Sequence, residues 1–358
     1  MHHNNKFPQS ECRKLLIKKD PALFCTLAII WICFAIFIFY PIITLLYTAF
    51  FSHGHISSEL LKKNFLNAYT LKALWNSLRL AAAVSICGTF LGYVFALVVN
   101  RTNLPKFLKI AISAITILPL ISPPFTSSIS LTLALGPNGT LLKLLGIPDA
   151  NIYGFTGTWI SETLTYFPVA YMVISAILNT MSSNLDDAAS SLGAKSGRIF
   201  RTITAPLSVP AVANSVLLIF GSSLADFATP LILGGHKFTI LPTQAYLQIT
   251  GMFDLNGGSS LSFLLIIPAL FVFFFQQLLV GRKSYVTVSG KSAGQSEFVP
   301  LPKWMKTLCY CIAFIVIVFV LYLYFIILAG SFVKVWGIDN TLTLQNYRYV
   351  FANGKKAL

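Results

Sequence analysis

The sequence predicts an all-α polytopic membrane protein with about seven membrane-crossing helices, and three observations predict it. Hydrophobic residues fill 56% of the 358 positions and charged residues 10%, whereas an average soluble domain is about a quarter charged. The apolar residues gather into runs of the length a bilayer crossing needs, about twenty residues. The 26 lysines and arginines, which set a formal net charge of +15, cluster between those runs. A soluble fold of this length has too little polar surface to cover so much apolar material. The charge distribution also sets nucleic acid aside as a partner, because it follows membrane sorting and forms no single basic face.

Seven runs qualify as spans: residues 23–50, 75–99, 107–135, 159–180, 209–233, 262–281 and 307–333. The first starts well inside the chain, is too long for a signal-peptide core and precedes no small-residue cleavage site, so it reads as a retained span. Pro119, Pro123, Pro124, Pro168, Pro230 and Pro268 fall within spans. Neighbouring helices or water can satisfy the carbonyls they free, so they are expected as kinks. With the N-terminus inside, the cytoplasmic pieces 1–22, 101–109, 181–208 and 282–306 hold 16 Lys and Arg, and the opposite pieces hold 9. That asymmetry places the N-terminus in the cytoplasm. The six cysteines lack a CxxC pair, and those within apolar runs behave as small hydrophobes. Cys309 and Cys311 are expected on different helix faces, which makes a poor metal pair. No catalytic constellation and no metal set emerges from the sequence.

The most informative loop runs from Asn184 to Pro206, between the fourth and fifth spans. It reads as a short helix, a turn and a second helix on the cytoplasmic face. Asn184 is the expected N-cap, with Asp186 and Asp187 favourable in the first turn. Ala188 and Ala189 keep one side slim, and Gly193 can end the helix in a left-handed conformation. Ile199, Phe200 and Ile203 then form an apolar stripe, with Lys195, Arg198 and Arg201 on the polar side. A slim helix protruding from a membrane bundle suits insertion into a groove on another protein.

The pattern resembles the "EAA" loop of bacterial ABC importer permeases: Glu-Ala-Ala, three residues, Gly, nine residues, then Ile-x-Leu-Pro. Asp187, Ala188, Ala189, Gly193, Ile203 and Pro206 occupy the matching positions. Asp187 stands for the usual Glu and keeps its charge, whereas Ala205 stands for Leu and removes apolar bulk. The resemblance implies a bacterial inner-membrane, multi-pass subunit whose loop docks into a cytoplasmic ATP-binding subunit, present in two copies. It also implies a periplasmic substrate-binding protein and a second permease half as partners. ATP would be bound by the partner ATPase, with no cofactor on this chain. Consistently, the sequence lacks the Gly-x-x-x-x-Gly-Lys-Ser/Thr phosphate loop, so the chain is expected not to be an enzyme.

The order of segments recurs. A basic N-terminal stretch (1–22) and a long span precede Phe65 to Leu78, and a basic linker (282–306) and a long span precede Leu342 to Leu358. Ala68 to Leu74 and Ala352 to Leu358 align without gaps, sharing Ala, Lys, Ala and Leu. Residues 23–281 are therefore expected to form a first six-helix half, and residues 307–358 to open an incomplete second half. The resemblance then extends to the N-terminal portion of fused, two-half ferric-iron permeases.

In the fifth span, Asp226 and Pro230 belong to a segment similar to the Asp-Phe-Gly-Thr-Pro stretch of ferric-type permeases, with Ala228 replacing Gly. A carboxylate in a translocation path suits a hard cation, while a helix-capping role for Asp226 is equally open. Sugar phosphates, phosphonates and polyamines are alternative substrates. An ion-coupled secondary transporter would want several intramembrane charges, and Asp226, Glu162 and Arg79 are the few available. An inactive remnant of a longer permease is a further alternative.

Overall fold

The computed structural model describes residues 21–52, 55–56, 67–123, 125–137, 151–235, 238–281 and 298–357, with 62, 65, 139, 141–142 and 146 between them. The N-terminal basic stretch, Cys12 and most of the 282–306 linker lie outside the described residues.

Helix α1 (Ala22–Phe50) carries a π-helical turn at Ala35–Phe39 and runs into a short hairpin of β1 (Phe51–Ser52) and β2 (His55–Ile56). Helix α2 (Ala68–Asn100) starts at the Asn67 cap, whose side chain accepts the Tyr69 amide at 2.9 Å. At 33 residues it spans about 50 Å, more than a hydrocarbon core, so its first turns, with Lys72, extend beyond the expected span.

The expected third span is two helices, α3 (Lys106–Ile121) and α4 (Phe125–Leu135), bent by 101°. Pro123 explains the break, since it cannot donate a backbone hydrogen bond and disfavours helix in the residue before it. Helix α5 (Phe155–Thr180) is continuous through Pro168. A short helix α6 (Ser183–Ser191) leads to α7 (Ser196–Ala225). The expected fifth span thus starts earlier and stops earlier, because the chain breaks at Asp226 before a separate six-residue helix α8 (Ala228–Leu233). Helices α9 (Leu241–Thr250) and α10 (Leu255–Gly281) follow, then α11 (Lys303–Ser331). A second hairpin, β3 (Val333–Val335) with β4 (Asp339–Leu342), leads to α12 (Gln345–Ala357). Among the described residues, six helices are long and apolar enough to cross a membrane, and the bent α3–α4 pair makes up to seven.

The core sits where α2, α5 and α7 meet. Phe95, Phe167, Ile174 and Ile219 are buried there, and small residues let the backbones approach. A Cβ on Gly92 would lie 2.5 Å from the Ala170 Cβ and 2.6 Å from the Tyr171 nitrogen, a small-residue crossing of the kind membrane helices use. Buried hydroxyls turn back on their own helices, as Thr116 to the Ile112 carbonyl (2.6 Å) and Thr165 to Ser161 (2.9 Å). Each of these two hydroxyls is thereby satisfied within its own helix.

Helix α11 packs on α4, α2 and α3, with Val320, Leu323 and Ile326 buried. Helix α1 meets α10 near its C-terminal end, where Phe50 sits edge-on to Phe263 at 4.9 Å, while residues 29–44 are all exposed. Cys309 is buried and Cys311 exposed, on different faces of α11 as their spacing implies.

Candidate functional site: a protruding helix and a buried acidic pair

Helix α6 is short because its neighbours stop it at both ends. Its N-cap is Ser182, whose hydroxyl accepts the Asn184 amide at 3.3 Å, so Asn184 lies inside the helix and is not the cap expected of it. At the other end Gly193 takes φ +80°, a left-handed geometry that glycine adopts at little cost. The Ala194 amide returns to the Ala189 carbonyl at 3.0 Å, closing the turn. The helix–turn–helix reading of this loop therefore stands.

Two faces of α6 differ sharply. Asp187 and Ala188 are exposed and Ala189 half-buried. Leu185 and Leu192, seven residues apart and so on one face, are 44% and 89% exposed. Bare leucines beside two alanines leave a narrow apolar ridge. The opposite face carries Asp186, which is 1% exposed and pairs with Arg101 at 2.6 Å. Sequence reasoning placed Asp186 in the first turn as a dipole partner and missed Arg101, 85 residues away. Clues existed in a lone arginine at the end of an apolar run and an acid on the inner face of a short helix.

The second helix of the loop follows its expected stripe: Ile199 is buried, Phe200 and Ile203 are half-buried, and Lys195, Arg198 and Arg201 are exposed. Pro206 lies nearly three turns into α7 and cannot donate to the Thr202 carbonyl. The backbone passes through a π-helical turn at Phe200–Thr204 just before it, a local widening that accommodates the missing bond.

Within the bundle, Asp226 sits at the break between α7 and α8. Its Oδ1 accepts the amides of Ala228 (2.8 Å) and Thr229 (3.3 Å), so it caps the N-terminus of α8, where an acid is favoured by the unpaired amides and the helix dipole. Pro230 stands in the first turn of α8, where a missing N–H costs nothing. Close by on α5 is Glu162, which is 0% exposed. Its Oε2 accepts the Ser223 hydroxyl from α7, and its Oε1 has no partner. The two acids interact electrostatically, and among the described residues neither is in a salt bridge. The Thr229 hydroxyl beside them is also buried without a partner. Among the described residues no three His, Cys, Asp or Glu side chains converge. Arg79 lies apart, over the Phe155 ring at 4.6 Å.

A bundle of membrane-length helices defines the class: a multi-pass helical membrane protein. Residues 88–285 match the family described as "Binding-protein-dependent transport system inner membrane component", and the chain belongs to this family of ABC importer permeases. It is 36% identical over 325 residues to the ferric transport system permease protein FbpB of Actinobacillus pleuropneumoniae, covering 89% of this chain and 47% of that protein. It is 34% identical over 346 residues to the putative ferric transport system permease protein FbpB 1 of Haemophilus influenzae, covering 95% and 54%. The molybdenum transport system permease protein ModB of Mycobacterium bovis is 30% identical over 205 residues, 56% of this chain and 76% of that one. The chain spans about half the length of the two ferric relatives. Among solved structures, a bacterial ABC transporter that imports the acidic polysaccharide alginate shares the fold, with TM-score 0.64 and 20% identity over 75% of this chain and 98% of that one.

Proposed function

We propose that this chain is part of the membrane-spanning permease of an ABC-type ferric-iron importer, driven by ATP hydrolysis on a separate subunit. One observation carries the coupling role: α6 offers an exposed Leu185–Leu192 ridge while its other face is anchored through a buried ion pair. A rigidly held handle transmits force, whereas a free one would only bind. Asp187, Ala188, Ala189 and Gly193 shape this handle, and Ile203 and Pro206 seat the helix that follows. A cleft on a cytoplasmic ATP-binding subunit, present in two copies, takes the ridge. The N-terminus is then cytoplasmic, in line with the Lys and Arg count. A periplasmic binding protein delivers substrate, as the family description implies.

For the substrate, the identity to ferric permeases extends over 89% and 95% of the chain, whereas the molybdenum permease matches 56%. The chemistry of the buried pair agrees: Glu162 and Asp226 offer hard oxygen ligands, which suit a hard cation. Residues 23–281 make up one permease half, and α11 with its hairpin opens another. The support is that span, antiparallel hairpin and helix recur in that order at α1–β1–β2–α2 and at α11–β3–β4–α12.

The test is uptake of radiolabelled ferric ion into membrane vesicles holding the assembled transporter, with iron-loaded binding protein and the ATPase subunit, with and without ATP. ATP-dependent uptake is the expected result. Uptake driven by an ion gradient without ATP would refute the coupling reading. Uptake of molybdate in place of ferric ion would refute the substrate.

A further inference from the structure

Arg101 gathers four separate parts of the chain, three of them through its side chain. Arg101 caps the C-terminus of α2, where its own amide reaches the Leu97 carbonyl at 2.8 Å. Its guanidinium donates to Asp186 of α6 at 2.6 Å and to the Met181 sulfur, between α5 and α6, at 3.2 Å. It also lies over the Phe298 ring, 4.1 Å from its centroid. In addition the Leu301 amide donates to the Arg101 carbonyl at 3.3 Å. Residues 298–302 lead directly into α11. One residue therefore ties the α6 handle to the end of α2 and to the strap that starts α11.

Stability alone is a poor reason to keep such a pair. Both partners are buried, yet Arg101 Nε and Asp186 Oδ1 have no partner. A buried ion pair with unmet hydrogen bonds returns little or nothing against its desolvation cost, and apolar replacements often match it. What the pair does supply is direction: a planar guanidinium bonded on one side and stacked on a ring on the other holds its neighbours in one geometry.

We infer that Arg101 is a positioning residue for ATP-driven transport, making α6, the end of α2 and the head of α11 move as one body when a partner pushes the handle. The inference rests on the handle reading of α6. It adds that force leaves α6 sideways, through Arg101, into α2 and α11, as well as along the covalent path into α7. Arg101→Lys keeps the charge but loses the fork and the stacked plane, so it only partly preserves the function.

The test uses the assembled transporter with its ATPase subunit in three arms. The first is crosslinking of the ATPase from Ser191→Cys on α6. The second is the distance between spin labels at Ser191→Cys and Trp304→Cys, both exposed, with and without a non-hydrolysable ATP analogue. The third is the ratio of ATP hydrolysis with and without iron-loaded binding protein. In an otherwise native chain we expect capture, a narrow distance distribution that nucleotide leaves unchanged, and a stimulated ratio. In Arg101→Gln we expect capture to persist, the distribution to broaden and the stimulation to fall about tenfold, the scale of coupling between linked sites. Arg101→Lys should fall between the two. If Arg101→Gln does not accumulate in membranes, the isosteric Asp186→Asn carries the same comparison. A narrow distribution and full stimulation in these variants would overturn the inference. Failure of the native chain to capture the ATPase would instead overturn the handle reading, and the inference with it. A native ratio of one refutes the ferric substrate and leaves the distance arm to decide.

Discussion

The Ser223 hydroxyl on α7 donates to the carboxyl group of Glu162 on α5, and both side chains are buried. This bond joins two core helices just before the α7–α8 break. Because the other Glu162 oxygen has no partner, Ser223→Ala leaves the whole group unmet. An unsatisfied buried acceptor costs about 1–3 kcal/mol. Thermal unfolding of the purified protein in detergent should show that loss, with Ser223→Thr much closer to the native chain. Equal midpoints for Ala and Ser would show that the bond contributes nothing.

Gly92 lies at a close crossing of α2 and α5. Gly92→Ala pushes a methyl group onto Ala170 and the Tyr171 backbone, and overpacking of this kind costs about 1–3 kcal/mol. The contrasting control is Gly221→Ala in α7, where nothing lies within 4 Å of the added carbon. Gly221→Ala should leave the midpoint unchanged or raise it. If both substitutions behave alike, the close crossing does not limit packing.

Leu192 tests the handle without disturbing the fold. At 89% exposure, Leu192→Glu should change stability by no more than about 0.5 kcal/mol. Loss of an apolar anchor at the centre of a docking ridge should still weaken ATPase capture by at least about tenfold. Co-purification of the ATPase subunit with each variant reads this directly. Undiminished capture would move the docking surface elsewhere.

Asp226 separates capping from charge. Asp226→Asn keeps an oxygen for the Ala228 and Thr229 amides and removes the negative charge, whereas Asp226→Ala removes both. Stability should fall by about 1 kcal/mol in the alanine variant and little in the asparagine one. Ferric uptake should be lost in both if the charge serves the cation. Native uptake by Asp226→Asn would confine this residue to its cap.

The β3–β4 hairpin should respond to acid. The Thr341 hydroxyl, the Lys334 ammonium and the Thr341 amide hold the Asp339 carboxyl below its usual range, with the hydroxyl at 2.7 Å and the ammonium at 3.2 Å. A group whose folded pKa is depressed favours the folded form above its unfolded pKa, and that contribution disappears as pH falls through the depressed value. A spin label at exposed Ile338 should therefore gain mobility only in acid below the ordinary carboxylate range. Asp339→Asn should remove the pH dependence, and a persistent transition in that variant would assign it to another group.

Much of the architecture was legible because a bilayer imposes a one-dimensional signal. Residues 22–50, 155–180 and 303–331 are continuous membrane-length helices close to the expected runs, since each had to bury its own backbone hydrogen bonds within an apolar stretch. The α6–Gly193–α7 loop was readable for the same local reason: alanines, a left-handed glycine and an apolar stripe act over neighbouring residues. Helix ends were less legible. Ser182 took the cap expected of Asn184, and the backbone broke at Asp226 and not beyond Pro230, because capping depends on which side chain reaches a free amide.

By itself, the sequence determined the membrane class, the number of apolar runs and the short helix that protrudes from them. All of these follow from the spacing of apolar, small and charged residues along the chain. Only the tertiary structure decided that Asp186 turns inward to Arg101, that Ser223 meets Glu162, and that the strap before α11 stacks on the end of α2. Those partners lie 85, 61 and about 200 positions apart. Distances of that order carry no local pattern, and the pairings arise because a buried polar group must find whichever partner the packed helices place beside it.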